Sequence, residues 1–165
     1  MAFPANGSSM SENEGKAAAD GRWPEEILNQ VLERFPKVLL VDDSKTLADI
    51  LAIFFKLHGF STRAAYGGRE ALEVFLEDAP DIAFIDLTMP EIDGMTVARQ
   101  VRESPPAKAP VLVALTGWEG KSHENAAREA GFDHFLAKPV VPAKLREFMS
   151  GLVAENPIER GGGRS

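Results

Sequence analysis

Residues 38–44 read VLLVDDS, four consecutive apolar residues followed at once by two aspartates and a serine. A short, continuous apolar run of this kind is typical of a strand buried on both faces of a parallel sheet. Ser44 is placed to cap a helix whose apolar stripe runs from Leu47 to Phe54, and Gly59 is suited to end that helix. The segment therefore predicts a central strand that leads directly into a helix.

The same alternation continues along the chain. Further strands are predicted at 61–65, 82–85, 111–115 and 133–137. Further helices are predicted around 71–75, 95–101, 121–130 and 145–152. Strict alternation predicts a doubly wound α/β fold, a five-stranded parallel sheet with helices on both faces, because right-handed crossovers place the helices there.

The flanking segments differ in composition from this middle. Residues 1–22 have almost no large apolar side chains and are predicted to be a disordered leader, and residues 154–165 a flexible tail. Residues 23–36 carry apolar side chains at helical spacing and predict an amphipathic helix or a linker. Its apolar side is expected to pack on the domain formed by residues 37–153, or on a second copy in a homodimer.

Bulk composition argues against several classes of function. The chain has 165 residues and 44% hydrophobic content, enough for one well-packed core. A net charge of -7 without a basic cluster argues against nucleic-acid binding. No apolar run is long enough for a membrane span, and without Cys nothing indicates an oxidising compartment, so we expect a cytoplasmic protein.

Acidic side chains follow the first and third apolar runs, as Asp42 and Asp43 and then as Asp86. Ligands of open parallel sheets bind outside the carboxyl ends of the strands, so the three carboxylates converge if these strands are neighbours. Two carboxylates about 4 Å apart repel by roughly 4 kcal/mol at an effective dielectric near 20, so they need a cation or must protonate. Oxygen ligands without Cys favour Mg²⁺, which commonly bridges to a phosphoryl oxygen.

Two residues after later strands support a phosphate site. Thr116 follows the fourth strand and Lys138 the fifth, which adds a hydroxyl donor and an ammonium group at the same rim. Taken singly, Asp43 would serve equally well as a helix cap and Asp86 as the start of a turn. The convergence of all five positions, rather than any single residue, favours a functional site.

These motifs resemble those of the response-regulator receiver domains of two-component signalling, over about residues 37–153. The matching segments are 41–44, 86–94, 114–117 and 138–139. The resemblance implies a flavodoxin-like strand order 2-1-3-4-5 and a cis peptide bond between Lys138 and Pro139. It also implies a signalling receiver, which catalyses only its own phosphorylation and dephosphorylation.

The resemblance implies a role for each residue of the acidic site. Asp86 would be the phosphoacceptor and would attack a phosphohistidine or a small phosphodonor such as acetyl phosphate. Asp42, Asp43, Asp86 and the backbone carbonyl of Thr88 would hold Mg²⁺. Lys138 would offset the charge of the phosphoryl group, so that catalysis is positioning plus electrostatics.

A conformational switch is implied on the face formed by the fourth helix, fifth strand and fifth helix of the domain. Thr116 would hydrogen-bond the aspartyl phosphate, and Phe135 on the fifth strand would change rotamer as Thr116 moves. Many family members carry Tyr at that position, so the switch here would work by packing alone. Trp118 is expected to shield the acyl phosphate and to slow self-dephosphorylation.

The implied partners are a histidine kinase or histidine phosphotransfer protein and a downstream protein target. Too few residues follow Val153 for an output region, so we expect a stand-alone receiver or the receiver portion of a hybrid histidine kinase. Two alternatives stay open. A haloacid-dehalogenase-like phosphotransferase should end its first strand in two aspartates separated by one position, whereas position 44 is Ser. A binding module with the receiver fold would signal without phosphate.

Overall fold

The computed structural model describes residues 22–104, 108–117 and 123–155. They group into two compact units. One unit is Phe35–Val140, and the other combines the segment up to Arg34 with the segment from Val141 onward. The elements in chain order are α1 (Glu25–Arg34), β1 (Lys37–Val41), α2 (Lys45–Leu57), β2 (Ser61–Ala65), α3 (Gly68–Asp78), β3 (Ile82–Asp86), α4 (Gly94–Glu103), β4 (Val111–Thr116), α5 (Glu124–Ala130), β5 (His134–Ala137) and α6 (Pro142–Glu155).

The unit Phe35–Val140 is built on a five-stranded sheet with the strand order β2-β1-β3-β4-β5. All neighbouring strands pair in parallel, with Val41 opposite Ile85 and Asp86 opposite Leu115. β1 and β3 are therefore neighbours at the centre of the sheet. The predicted flavodoxin-like fold class is confirmed.

The central strands are buried on both faces because apolar residues alternate between two layers of helices. Ala83 and Ile85 belong to a cluster that includes buried residues of α3, α4 and α5. On the opposite face, the rings of Phe84 and of Phe55 from α2 stack with their centres 5.8 Å apart. Every residue of β3 is buried, as the continuous apolar run predicts.

Local signals set the helix bounds. Ser44 caps α2 by accepting a hydrogen bond from the backbone N–H of Leu47, as predicted. Gly59 lies just beyond the C-cap of that helix at a φ of 99°, a conformation that favours glycine. Asp93 caps α4 in the same way as Ser44 caps α2, and accepts from the N–H of Thr96 at 2.9 Å.

Gly94 allows the start of α4 to approach the end of β3. Its N–H donates to the carbonyl of Leu87 at 3.1 Å. A Cβ at this position would meet the carbonyl oxygen of Asp86 and would lie 2.9 Å from the Cα of Leu87. Only glycine fits this backbone contact without moving the strand end that carries Asp86.

The second unit consists of α1 and α6. The indole N–H of Trp23 donates to Ser150 Oγ at 3.0 Å, and Ser150 Oγ donates to the carbonyl of Arg146 at 2.8 Å. Val31 of α1 is fully buried. The amphipathic segment predicted at 23–36 is thus a helix that pairs with α6 of the same chain. Within the described ranges, no helix combines the length and apolar character needed to cross a membrane.

Candidate functional site

The carboxyl ends of β1 and β3 bring three acidic side chains together. Asp42 and Asp43 follow β1, and Asp86 is the last residue of β3. Val41 pairs with Ile85, so Asp42 and Asp86 continue at the same level of the sheet. Each carboxylate offers one oxygen to the group, and these oxygens lie within 4.8 Å of one another.

Asp42 is buried and has one oxygen without a hydrogen bond. Asp42 Oδ1 accepts from the backbone N–H of Ser44 at 2.9 Å. Asp42 Oδ2 is buried and has no hydrogen-bond partner in the part of the chain that the structure describes. A buried carboxylate oxygen without a hydrogen bond lowers the stability of the fold unless a positive charge faces it.

Lys138 supplies one positive charge to the cluster. Its Nζ lies 3.1 Å from Asp86 Oδ1 and 3.7 Å from Asp42 Oδ2. Asp86 Oδ1 also accepts a hydrogen bond from the backbone N–H of Thr88 at 3.1 Å, which places the Thr88 backbone beside the carboxylates. One ammonium group facing three carboxylates leaves an excess of negative charge at the rim.

The donor set fits a hard divalent cation. Asp42, Asp43 and Asp86 offer oxygen ligands only, and Asp43 is exposed, so that an ion would keep some of its water. Mg²⁺ prefers a few carboxylate oxygens together with several waters. The oxygen of Asp42 without a hydrogen bond and the excess of negative charge both suit this ion.

The backbone of Lys138 is held by the neighbouring strand. Its N–H donates to the carbonyl of Thr116 at 2.7 Å. The peptide bond between Lys138 and Pro139 is cis, which confirms the expectation drawn from the resemblance. The hydrogen bond to Thr116 fixes the position of the Lys138 backbone relative to the end of β4.

The predicted switch residues lie on β4 and β5. Thr116 is the last residue of β4, is buried, and donates its hydroxyl to the carbonyl of Leu136 at 3.4 Å. Phe135 is half-buried against the core, and the guanidinium carbon of Arg128 lies 4.7 Å from the centre of its ring. Trp118, which was expected to shield the acyl phosphate, lies outside the described residues.

Burial raises the pKa of the Asp86 carboxyl above its usual range. The N–H of Thr88 and the Lys138 ammonium group act in the opposite direction because they favour the ionised form. The negative charge of Asp42 adds to the increase. Without a further cation, the ionised site is therefore under electrostatic strain.

Sequence reasoning missed three contributions to the site. The backbone N–H of Ser44 orients Asp42, although the sequence indicated only a helix cap at that residue. Gly94 ends a matching segment of the sequence, but only the structure reveals that it allows α4 to start against Asp86. Arg128 stacks on Phe135, and its place in a charged, exposed helical stretch gave no signal of this contact.

Three comparisons with known proteins point to the same family. The family model of the response regulator receiver domain matches residues 38–150. Response regulator MprA of Mycolicibacterium vanbaalenii is 35% identical over 129 residues, which are 78% of this chain and 55% of the relative. The signal receiver domain of a response regulator from Bermanella marisrubri is 28% identical with a TM-score of 0.64, over 72% of this chain and 98% of that one.

A yeast receiver domain is similar to the same degree. The receiver domain of Ssk1 from Saccharomyces cerevisiae, solved together with the histidine phosphotransfer signaling protein Ypd1, is 28% identical to this chain. The TM-score is 0.63, and the match covers 73% of this chain and 92% of that one.

A doubly wound parallel sheet with an acidic cluster at the ends of two neighbouring strands defines a flavodoxin-like domain with a candidate ligand site at its switch point. The chain belongs to the response regulator receiver domain family. It spans about half the length of the curated relatives that it matches. Membership of this family of signalling domains leaves the haloacid-dehalogenase-like alternative without support.

The raised pKa of Asp86 predicts that replacing Asp86 with Asn stabilises the metal-free protein at neutral pH. As the pH rises through the ordinary Asp pKa of 3.8, the unfolded state loses the Asp86 proton before the folded state does. Folding stability therefore falls between this pH and the raised pKa of the folded state, and it stays lower at higher pH. We expect Asp86→Asn to raise the free energy of unfolding at pH 7, and to raise it by less near pH 4.

Urea unfolding at both pH values, in the presence of a chelator, measures this difference. The matched control is Glu129→Gln, which neutralises an exposed carboxylate on α5 and should leave stability unchanged. Equal or lower stability of Asp86→Asn at pH 7 would show that Asp86 is not electrostatically strained.

Proposed function

We propose that this chain is a phosphoacceptor receiver domain of a two-component phosphorelay, in which Asp86 accepts the phosphoryl group. The observation that carries the proposal is the buried carboxylate of Asp86, 3.1 Å from the Lys138 ammonium group and grouped with Asp42 and Asp43. A nucleophilic carboxylate, a fixed positive charge and a set of oxygen ligands are what phosphoryl transfer requires, since its catalysis is mostly positioning and charge stabilisation.

In the transfer, a carboxylate oxygen of Asp86 attacks the phosphorus of a phosphohistidine. The new phosphorus–oxygen bond forms as the phosphorus–nitrogen bond breaks, and the bonding electron pair leaves with the imidazole, which takes up a proton. The Lys138 ammonium group offsets negative charge on the phosphoryl oxygens. In self-dephosphorylation, water attacks the same phosphorus, which releases phosphate and restores the carboxylate.

Asp42, Asp43, Asp86 and the backbone carbonyl of Thr88 would hold Mg²⁺. When bound, this ion supplies positive charge that stabilises the phosphoryl oxygens. The residues themselves are oriented by the backbone: the N–H of Ser44 fixes Asp42, and the N–H of Thr88 fixes Asp86. This preorganisation limits the rearrangement needed when the phosphoryl group arrives.

Thr116 and Phe135 are proposed to carry the signal away from the site. Thr116 would exchange its hydrogen bond to the carbonyl of Leu136 for one to a phosphoryl oxygen on Asp86. Because Leu136 follows Phe135 directly in β5, loss of that bond would free the strand segment that carries the aromatic ring. The change would reach α5 and β5, and α6 through the short link 139–141.

The phosphate-independent alternative leaves the acidic cluster unexplained. A binding module of the same fold has no need to bury Asp42 and Asp86 beside each other, since buried like charges reduce stability. We therefore prefer the phosphoacceptor function. In this proposal residues 37–153 form the receiver domain and α1 is an addition to it.

The proposed phosphodonor is a phosphohistidine on a histidine kinase or a histidine phosphotransfer protein. Support comes from α2, which begins two residues after Asp43 and exposes Ile50, Ile53 and Leu57 along its outer side. These residues are 50%, 53% and 80% exposed, and an apolar stripe of this spacing suits contact with a helical partner. The Ypd1 partner of the Ssk1 receiver domain is a histidine phosphotransfer protein.

Mass spectrometry after incubation with acetyl phosphate and Mg²⁺ tests the phosphoacceptor. We expect one phosphoryl adduct on the wild-type chain, on the peptide that contains Asp86, and none on Asp86→Ala. Lys138→Met keeps Asp86 as the acceptor but should be labelled at least tenfold more slowly, because the positive charge that faces the transferring phosphoryl group is lost.

The control variant is Asp78→Ala, which removes a carboxylate beside Lys37 at the opposite end of β1 and should label like the wild type. An adduct on Asp42 or Asp43 would contradict the assignment of the acceptor. A wild-type chain that stays unlabelled by acetyl phosphate and does not bind beryllofluoride would favour the phosphate-independent module.

The apolar stripe of α2 predicts a separate effect on transfer between proteins. We expect Ile53→Glu to slow phosphoryl transfer from phosphorylated Ypd1 by about tenfold or more, because a charge is placed in an apolar contact, while labelling by acetyl phosphate stays unchanged. Leu76→Glu is the matched control, since Leu76 is equally apolar and 86% exposed but lies on α3. Equal transfer rates for the two variants would rule out α2 as the docking surface.

A further inference from the structure

The contact between Arg128 and Phe135 lies outside the phosphoryl-transfer chemistry. Arg128 is exposed in the last turn of α5, and its guanidinium carbon is 4.7 Å from the ring centre of Phe135 on β5. This is within the roughly 6 Å over which a cation is attracted to the face of an aromatic ring. The contact therefore joins α5 to the strand that ends next to Lys138.

The ring of Phe135 has few other means of being oriented. Phenylalanine has no hydroxyl, so its orientation depends on packing and on contact with its face. The ring is only partly buried, against the cluster that contains Ala127 and Ala130 of α5. A planar guanidinium group on the ring face thus limits where the ring can move.

Two neighbouring residues of β5 are held by two different groups. The Thr116 hydroxyl holds the carbonyl of Leu136, and Arg128 holds the ring of Phe135. β4 and β5 are in register here, with Ala114 opposite Phe135 and Leu115 opposite Leu136. If Thr116 turns towards a phosphoryl group, one restraint on β5 is lost while the other remains.

We propose that Arg128 is a positioning residue that restrains Phe135 in its resting orientation and thereby opposes the switch. This inference rests on the proposed function of Asp86 as phosphoacceptor. Loss of the contact should favour the switched form about two- to fivefold, which corresponds to roughly 0.5–1 kcal/mol for an exposed cation–aromatic pair.

The experiment combines two readouts on the full chain. NMR of selectively ¹³C-labelled Phe rings reports the environment of Phe135. Titration with beryllofluoride in the presence of Mg²⁺ reports how readily the protein adopts the form that resembles the phosphorylated state. The variants are Arg128→Met, which keeps length without charge, and Arg128→Lys, which keeps charge. Arg99→Met is the matched control, because Arg99 is an exposed arginine on α4.

We expect Arg128→Met to shift the Phe135 ring signals in the unliganded protein and to lower the apparent Kd for beryllofluoride about threefold. Arg128→Lys should return both readouts part of the way to the wild type, and Arg99→Met should change neither. If Arg128 contributed only packing, Arg128→Lys would not restore the two readouts.

The inference is overturned if Arg128→Met leaves the ring signals unchanged, or if it shifts them without tightening beryllofluoride binding. It is also overturned if Arg128→Lys behaves like Arg128→Met. A wild-type chain that does not bind beryllofluoride contradicts the proposed function instead, and the ring signals of the unliganded variants then still report whether Arg128 contacts Phe135.

Discussion

Asp42 and Asp86 are buried at the ends of the neighbouring strands β1 and β3, and a positive charge has to balance the repulsion between their carboxylates there. Lys138 provides one positive charge within 3.1 Å of Asp86 and 3.7 Å of Asp42. That single charge does not balance the cluster once Asp43 is counted. Burial, with a smaller contribution from the charge of Asp42, raises the pKa of Asp86, and the remaining negative charge supports the affinity for a divalent cation that we propose.

Backbone contacts in the rest of the domain hold these charged groups close to one another. Parallel pairing of β1 with β3 sets the two buried carboxylates at one level, and Gly94 lets α4 start directly against the end of β3. The N–H of Lys138 is tied to the carbonyl of Thr116. The ion pair between Asp86 and Lys138 and the hydrogen bond between Lys138 and Thr116 therefore connect Asp86 to the ends of β5 and β4, which supports the switch that we propose on that side of the sheet.

Most of the fold could be predicted from the sequence because β1, β3 and β4 are built on continuous apolar runs and α2 begins after a capping serine. The strand ends were less certain, since Asp86 and Thr116 are polar residues that nevertheless complete β3 and β4. The convergence of the carboxylates followed from the topology alone. Contacts such as the stacking of Arg128 on Phe135 could not be predicted, because they depend on the conformation of an exposed side chain and not on the local sequence pattern.

The most direct test is a crystal structure of the chain with Mg²⁺ and beryllofluoride. We expect beryllium to be bonded to a carboxylate oxygen of Asp86, and the metal ion to be held by Asp43, by the carbonyl of Thr88 and by Asp42, directly or through water. We also expect the Lys138 ammonium group and the Thr116 hydroxyl to contact the fluorine atoms. A metal ion bound away from these carboxylates, or a beryllofluoride group on Asp42 or Asp43, would contradict the account.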